Sequence, residues 1–219
     1  MRIRPYRYTA DTINCKLCTD YKKNCERMPC PWFPERLEAK LVSYEEAIHS
    51  IYHSHPKLQG RAKELIESFD GTMLSPIHQK RMDGLEQRES NVREVNLPLY
   101  YSIMYLFTAN IEIFARTHKC FLPHGIALGC AQLMDIPLPE YILYRFARHL
   151  RCMCEGEDEC IPFDYDDLAD KDLVSDETFA LLSRSLLIAD YGLKALEITV
   201  KTRKEMLKIM EDDNEILCS

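Results

Sequence analysis

Four cysteines lie close together near the N-terminus, in the pattern Cys15-x2-Cys18-x6-Cys25-x4-Cys30. Four thiolates at such spacing can surround one tetrahedral zinc ion, and a closed site of this kind contributes directly to the free energy of folding. It leaves no coordination position open for water or substrate, so it holds a fold and performs no chemistry. We therefore predict an N-terminal zinc knuckle with Cys15, Cys18, Cys25 and Cys30 as its ligands.

Two alternatives to zinc stay open for this cluster. An iron–sulfur cluster also takes four thiolates, and the Cys30-Pro31 ending suits one, although the spacing matches no standard ferredoxin run. The four cysteines could instead be free thiols.

Length and composition predict one sizeable core with a small appended module. The chain has 219 residues, of which 46% are hydrophobic. No apolar run of about eighteen residues is present to span a bilayer, and the first residues do not resemble a signal peptide. We expect a cytoplasmic protein without membrane contact, in a bacterial host. A reducing compartment disfavours disulfides, so the ten cysteines are expected to be metal ligands and buried thiols.

Helical periodicity dominates the rest of the chain and predicts a mainly α fold, a helical bundle-like domain that follows the four-cysteine metal-binding knuckle. Starts at Pro34, Ser43, Ser75, Pro98, Pro139 and Ser175 predict successive helices. Residues 1–55 are predicted to form the cysteine-rich module and residues 56–219 the helical domain. No segment has a period-two pattern bounded by turn residues, so no strand is predicted.

The helix after Pro98 has the strongest apolar pattern and is predicted to lie at the centre of the core. Its predicted inner face runs as far as Ile111 and Phe114. The helix after Ser175 either breaks near Gly192 or continues to about Met210.

A second group of metal-ligand residues follows the predicted helix from Pro139: His149, Cys152, Cys154 and Cys160. One residue between two ligands is less usual than the two of a zinc knuckle, so buried thiols at a helix end are the alternative. His49 and His53 have a ligand spacing on one helix face, but the Glu of a zinc peptidase is replaced by Ser50. We interpret these two histidines as surface or capping residues.

Charge is distributed unevenly along the chain. Residues 1–31 carry seven Lys/Arg against three Asp/Glu, whereas residues 155–177 carry eleven Asp/Glu against one Lys. The basic end could contact nucleic acid through Arg4, Arg7, Lys22 and Lys23. The acidic segment has neither the central Gly nor the final Glu of a calcium loop. Its carboxylates could instead imitate a nucleic acid and bind a partner's basic groove, through Asp164, Asp166, Asp167 and Asp170. A solvated loop is the alternative.

No catalytic motif is recognisable. The chain lacks a phosphate-binding Gly-rich loop, a nucleophile elbow, a dinucleotide fingerprint and a deaminase motif, and it contains only seven glycines. We therefore expect a protein that is not an enzyme.

Two stretches resemble families of mobile genetic elements. Cys15-Lys-Leu-Cys18, the Cys30-Pro-Trp-Phe-Pro stretch and Val42 to Ile48 resemble a cysteine-rich module in uncharacterised proteins of phages and conjugative elements. Leu74 to His78, Leu99 to Asn110 and Leu173 to Phe179 resemble a second phage-associated family. The resemblance implies an accessory gene of a mobile element. Such genes commonly encode inhibitors of host defence and small regulators.

These features together predict a protein that acts by protein–protein binding. Our first expectation is an inhibitor of a host nucleic-acid defence system, of the anti-CRISPR type, with a host protein or nucleoprotein effector as its partner. The alternative is a zinc-dependent nucleic-acid-binding regulator or accessory protein that uses the basic N-terminal module.

Overall fold

The computed structural model describes Cys30 and residues 32–88, 96–122, 125–155 and 163–209. For residues 88 and 153–155 it describes the backbone only. The described residues are mainly helical, as predicted. They group into two compact units. The first unit holds the described residues up to Gly71 and those from Glu197 on, and the second is Thr72–Leu196. The predicted boundary at residue 55 concerns a knuckle that lies outside the described residues except for Cys30, so it stays a prediction.

The first unit is built from short helices with clear start signals. Ser43 forms the predicted capping box, since its Oγ accepts from the Glu46 N–H at 3.2 Å while Glu46 Oε2 accepts from the Ser43 N–H at 3.3 Å. Pro34 lies in the first turn of the preceding helix, where its missing N–H costs no hydrogen bond. The helices of this unit are α1 (Phe33–Glu38), α2 (Tyr44–Tyr52) and α3 (Gln59–Ser68), and residues 203–209 are also helical.

A buried ion pair joins α1 to α2. Arg36 Nη2 lies 3.0 Å from both carboxylate oxygens of Glu46 and also donates to the Leu41 carbonyl at 2.7 Å. Both side chains are less than 10% exposed. Such a pair adds little net stability over apolar packing, but removing one partner would leave an uncompensated buried charge.

The second unit contains the larger helices and a two-stranded antiparallel hairpin. The hairpin pairs Phe121 with Ile126 and Leu122 with Gly125. Strands of two residues are too short to produce an alternating sequence pattern, which is why no strand is predicted there. The elements are α4 (Pro76–Arg88), α5 (Leu97–Thr108), α6 (Ile111–Thr117), β1 (Phe121–Leu122), β2 (Gly125–Ile126), α7 (Leu138–Glu155) and α8 (Asp176–Tyr191).

Helix α5 is the centre of the second unit, as predicted. It packs against α7 and α8, and every residue from Ser102 to Thr108 is buried. Ser102 Oγ donates to the Ser185 carbonyl of α8 at 2.7 Å. A helix that is apolar on all sides must be buried by other elements on all sides. Helices α4 and α6 also contact α5.

The predicted extent of this central helix is wrong at its C-terminal end. The helix ends at Thr108, and Ile111 begins α6 with 68% of its surface exposed. Asn110 causes the break, because its backbone is extended and its side chain accepts from the Ile113 N–H at 3.0 Å. Ile113, fully buried, takes the core position that the sequence pattern assigned to Ile111.

Helices α7 and α8 begin where the sequence predicts. Pro139 lies in the first turn of α7, and Ser175 caps α8 by accepting from the Thr178 N–H at 3.2 Å. Helix α8 stops at Gly192, whose φ of 72° lies in the left-handed region that glycine adopts without strain. Of the two outcomes predicted for this helix, the break is therefore the one observed.

Candidate acidic docking surface

The acidic segment of the second unit presents seven exposed carboxylates, which we call the acidic surface. Lys171 is the only cation among residues 163–177, and its Nζ lies 3.7 Å from Asp176 Oδ2. Seven negative charges and one positive charge give a net charge of −6 for this stretch. The members of the acidic surface are Asp164, Asp166, Asp167, Asp170, Asp172, Asp176 and Glu177.

Two aspartates of the acidic surface hold its backbone in place. Asp164 Oδ1 accepts from the Asp166 N–H at 2.8 Å and caps the 3₁₀ turn Tyr165–Ala169. Asp170 Oδ1 accepts from the Asp172 N–H at 2.8 Å and the Leu173 N–H at 3.4 Å. These are local side-chain-to-backbone bonds that substitute for secondary structure. The carboxylates are therefore displayed from a defined backbone.

Apolar side chains anchor the same stretch to the unit beneath it. Leu168 and Val174 are completely buried. The Tyr165 ring centroid lies 5.8 Å from that of His149 and 6.5 Å from that of Phe146, both on α7. Burial, followed by the charge of Asp190, raises the pKa of the Tyr165 hydroxyl, which stays neutral. Buried anchors and exposed carboxylates thus occur in the same short segment.

Helix α8 contributes the last two carboxylates from its first turn. Asp176 and Glu177 follow the capping Ser175. Negative side chains at a helix N-terminus are stabilised by the helix dipole. This stabilisation offsets part of the electrostatic repulsion among the carboxylates. The four aspartates predicted to bind a partner thus lie together with Asp172, Asp176 and Glu177, which the sequence pattern alone did not single out.

The structure gives His149 of the predicted second metal cluster a different environment. His149 is 6% exposed and surrounded by the rings of Phe146, Phe163 and Tyr165. Its Nδ1 accepts from the Phe163 N–H at 3.3 Å, so in the neutral ring Nε2 carries the proton. Burial lowers the pKa of this imidazole, which favours the neutral form. In this arrangement His149 is a buried neutral side chain, and its place in the second metal cluster stays a prediction.

The remaining predicted metal ligands are mostly outside the described residues. Cys152 is half-buried on α7, and the side chains of Cys154 and Cys160 are not described, so the second cluster stays a prediction. Of the N-terminal knuckle only Cys30, a half-buried free thiol, is described. Within the described ranges, no three His, Cys, Asp or Glu side chains are grouped as a metal would require. Outside those ranges lie Cys15, Cys18 and Cys25 and the predicted nucleic-acid contacts Arg4, Arg7, Lys22 and Lys23.

A cleft of about 440 Å³ in the second unit is not predicted from the sequence. It lies between α7 and the turn that follows β2, and its lining includes Arg148, Arg151 and Cys152. The three-residue spacing of the two arginines on one predicted helix was a readable signal, because residues three apart share a helix face.

No protein-family model, curated protein or solved structure matches this chain. Among the helices of the described residues, none combines the length and the apolar character needed to cross a membrane.

Proposed function

We propose that the protein is not an enzyme and acts by binding a partner protein through the acidic surface. The observation that supports this most is the combination of seven exposed carboxylates with a backbone fixed by Asp164 and Asp170 and anchored by Leu168 and Val174. Charges on an ordered backbone keep a fixed spatial pattern, which can complement the charges of a basic groove. Because the backbone is already ordered, little conformational entropy is lost on binding.

The proposed partner is an effector that uses a basic groove to hold nucleic acid. The acidic surface would occupy that groove in place of phosphates, and the effector could no longer bind its own nucleic acid. Within this class we propose an inhibitor of a host nucleic-acid defence system of the anti-CRISPR type, because the sequence resembles accessory proteins of phages and conjugative elements.

The decisive experiment compares two variants with the same change in net charge. One replaces Asp164, Asp166, Asp167 and Asp170 with Asn. The control removes four exposed carboxylates of the first unit, by Glu38→Gln, Glu64→Gln, Glu67→Gln and Asp70→Asn. Target cleavage by purified CRISPR effector complexes is measured with each protein at low and high salt.

We expect the parent and the control to inhibit cleavage and the four-Asn variant to lose inhibition, with a slower association rate for its effector. Inhibition by the parent should weaken as salt rises. Equal inhibition by the parent and the four-Asn variant would exclude the acidic surface. Salt-sensitive binding of the parent itself to DNA or RNA would instead favour the nucleic-acid-binding alternative.

For the N-terminal cysteines we propose one structural zinc ion. Elemental analysis of protein purified without added metal should find about one equivalent, and Cys18→Ser should lose it. A brown protein with visible charge-transfer absorption would point to an iron–sulfur cluster.

A further inference from the structure

The cleft beside α7 has one apolar wall and one cationic wall. Its apolar wall comes from the turn after β2, and its other wall comes from one face of α7. The residues that line it are Ala127, Leu128, Gly129, Tyr144, Arg148, Arg151 and Cys152. These lining residues include two guanidinium groups and no carboxylate.

Hydrogen bonds hold the walls of this cleft in place. The Tyr144 hydroxyl donates to the Leu128 carbonyl at 3.2 Å, which ties α7 to the turn. The Ala127 N–H donates to the Cys120 carbonyl at 2.8 Å, and the Cys130 N–H donates to the Ala127 carbonyl at 3.0 Å. The Tyr144 ring is buried and stacks parallel to Phe107 of α5, with a centroid distance of 6.1 Å. The cleft is therefore preformed, which reduces the ordering cost of binding.

Two arginines in one cleft select a ligand by its charge. Arg148 and Arg151 are three residues apart and so share one face of α7. A guanidinium presents a planar fork of donors that matches the oxygens of a phosphate or a carboxylate. A carboxylate offers two acceptor oxygens to these donors, whereas a phosphate monoester offers three strong acceptor oxygens and a charge of about −1.5 to −2 at neutral pH.

The size of the cleft argues for more than a bare ion. Its volume of about 440 Å³ lies in the range of small-molecule sites. Ala127 and Leu128 add apolar atoms to the lining. We propose that this cleft binds the phosphate monoester of a small organic molecule, with Arg148 and Arg151 on the phosphate and the turn against the organic part.

Isothermal titration calorimetry with phenyl phosphate tests the proposal, with inorganic phosphate and benzoate as reference ligands. Phenyl phosphate should bind at one site at least about tenfold more tightly than either reference. Arg148→Gln and Arg151→Gln should each weaken binding about tenfold or more, since each removes charge-assisted hydrogen bonds. Arg145→Gln is the matched control, because Arg145 belongs to the same helix but does not line the cleft.

Gly129 provides a variant that blocks the cleft without changing its charge. A Cβ at Gly129 would meet nothing within 4 Å, and its φ does not require glycine. Gly129→Leu should therefore fold normally and abolish binding by occupying the cleft, while Gly129→Ala should weaken it less. Bound phenyl phosphate should also slow the alkylation of Cys152, followed by peptide mass spectrometry, while exposed Cys130 outside the lining keeps its rate.

Several results would overturn the proposal. The absence of saturable binding up to about 1 mM phenyl phosphate would do so. An equal loss of affinity in Arg145→Gln would reduce it to nonspecific attraction by the basic helix. Full affinity in a folded Gly129→Leu variant would place the ligand elsewhere, and equal affinity for inorganic phosphate would remove the organic part of the ligand.

Discussion

Helix α5 and the acidic surface belong to the same unit and differ in the exposure of their side chains. Along α5, every side chain from Ser102 to Thr108 is buried. Along residues 164–177, seven carboxylates are exposed, and Leu168 and Val174 are completely buried. Both regions rely on local caps, Asn96 for α5 and Asp164 and Asp170 for the acidic surface. From this contrast we expect stability and the proposed partner binding to depend on separable sets of residues in this unit, which mutation can test.

The largest effect should come from α5 itself. Phe107→Ala removes a completely buried ring and should lower the free energy of unfolding by about 3–5 kcal/mol. Ile111→Ala is the matched control, because 68% of Ile111 is exposed, and it should change the free energy by less than about 0.5 kcal/mol. Urea denaturation measures both. Similar losses in the two variants would contradict the break at Asn110.

The anchors beneath the acidic surface should come next. Leu168→Ala should cost about 2–5 kcal/mol, because Leu168 is completely buried although it lies in a short 3₁₀ turn. Leu173→Ala is the control, since Leu173 is 37% exposed in the same segment. Denaturant melts give the cost, and amide hydrogen exchange shows whether residues 164–174 open locally. A cost below about 0.5 kcal/mol for Leu168→Ala would mean that the acidic surface is not anchored as described.

Acid should weaken the α5 region through one buried histidine. His78 donates from Nε2 to the Tyr105 carbonyl at 2.8 Å, and Nε2 is 3.0 Å from Thr108 Oγ1. Burial, aided by the charges of Arg81 and Arg184, lowers the pKa of His78 to about 4. The unfolded chain binds this proton near pH 6.5, so the stabilisation is complete above that pH and is lost as the pH falls towards 4.

The expected loss from His78 is about 2 kcal/mol between pH 7 and pH 5. The measurement is the free energy of unfolding at both pH values for the parent and for His78→Gln. Other groups titrate equally in both proteins, so the difference between the two pH slopes reports His78. Equal slopes would show that the pKa of His78 is the same in the folded and the unfolded chain, which would contradict its burial-lowered pKa.

Sequence patterns predicted elements whose signals are local and missed features that depend on tertiary placement. The capping box at Ser43, the start of α7 at Pro139 and the cap at Ser175 each follow from neighbouring residues. The assignment of Ile111 to the core failed because apolar periodicity continued across Asn110, whose capping bond competes with helix propagation.

In the candidate site, too, the features that depend on tertiary placement were not predicted from the sequence. The charge density of the acidic segment was readable, but which aspartates cap the backbone was not. Burial of Leu168 and Val174 cannot be read from their neighbours in the sequence, and the rings around His149 come partly from residues 163 and 165, which are more than a dozen positions away. The cleft beside Arg148 is formed by α7 and a turn that precedes it by more than a dozen residues, so the spacing of the two arginines gives one wall of the cleft but not the other.

The smallest effect on stability should come from Asp170, which caps the backbone by a hydrogen bond and also carries a negative charge. Asn caps a turn about as well as Asp, because its side-chain oxygen accepts the same hydrogen bonds, whereas Ala does not. Asp170→Asn should therefore change the free energy of unfolding by less than about 0.5 kcal/mol, and Asp170→Ala should cost about 0.5–2 kcal/mol. Both changes remove one negative charge, so both should slow partner association to the same small extent. Thermal denaturation and association kinetics measure the two quantities on the same samples. If Asp170→Asn destabilises as much as Asp170→Ala, the charge and not the hydrogen bond holds the turn, and the separation between stability and binding fails at this residue.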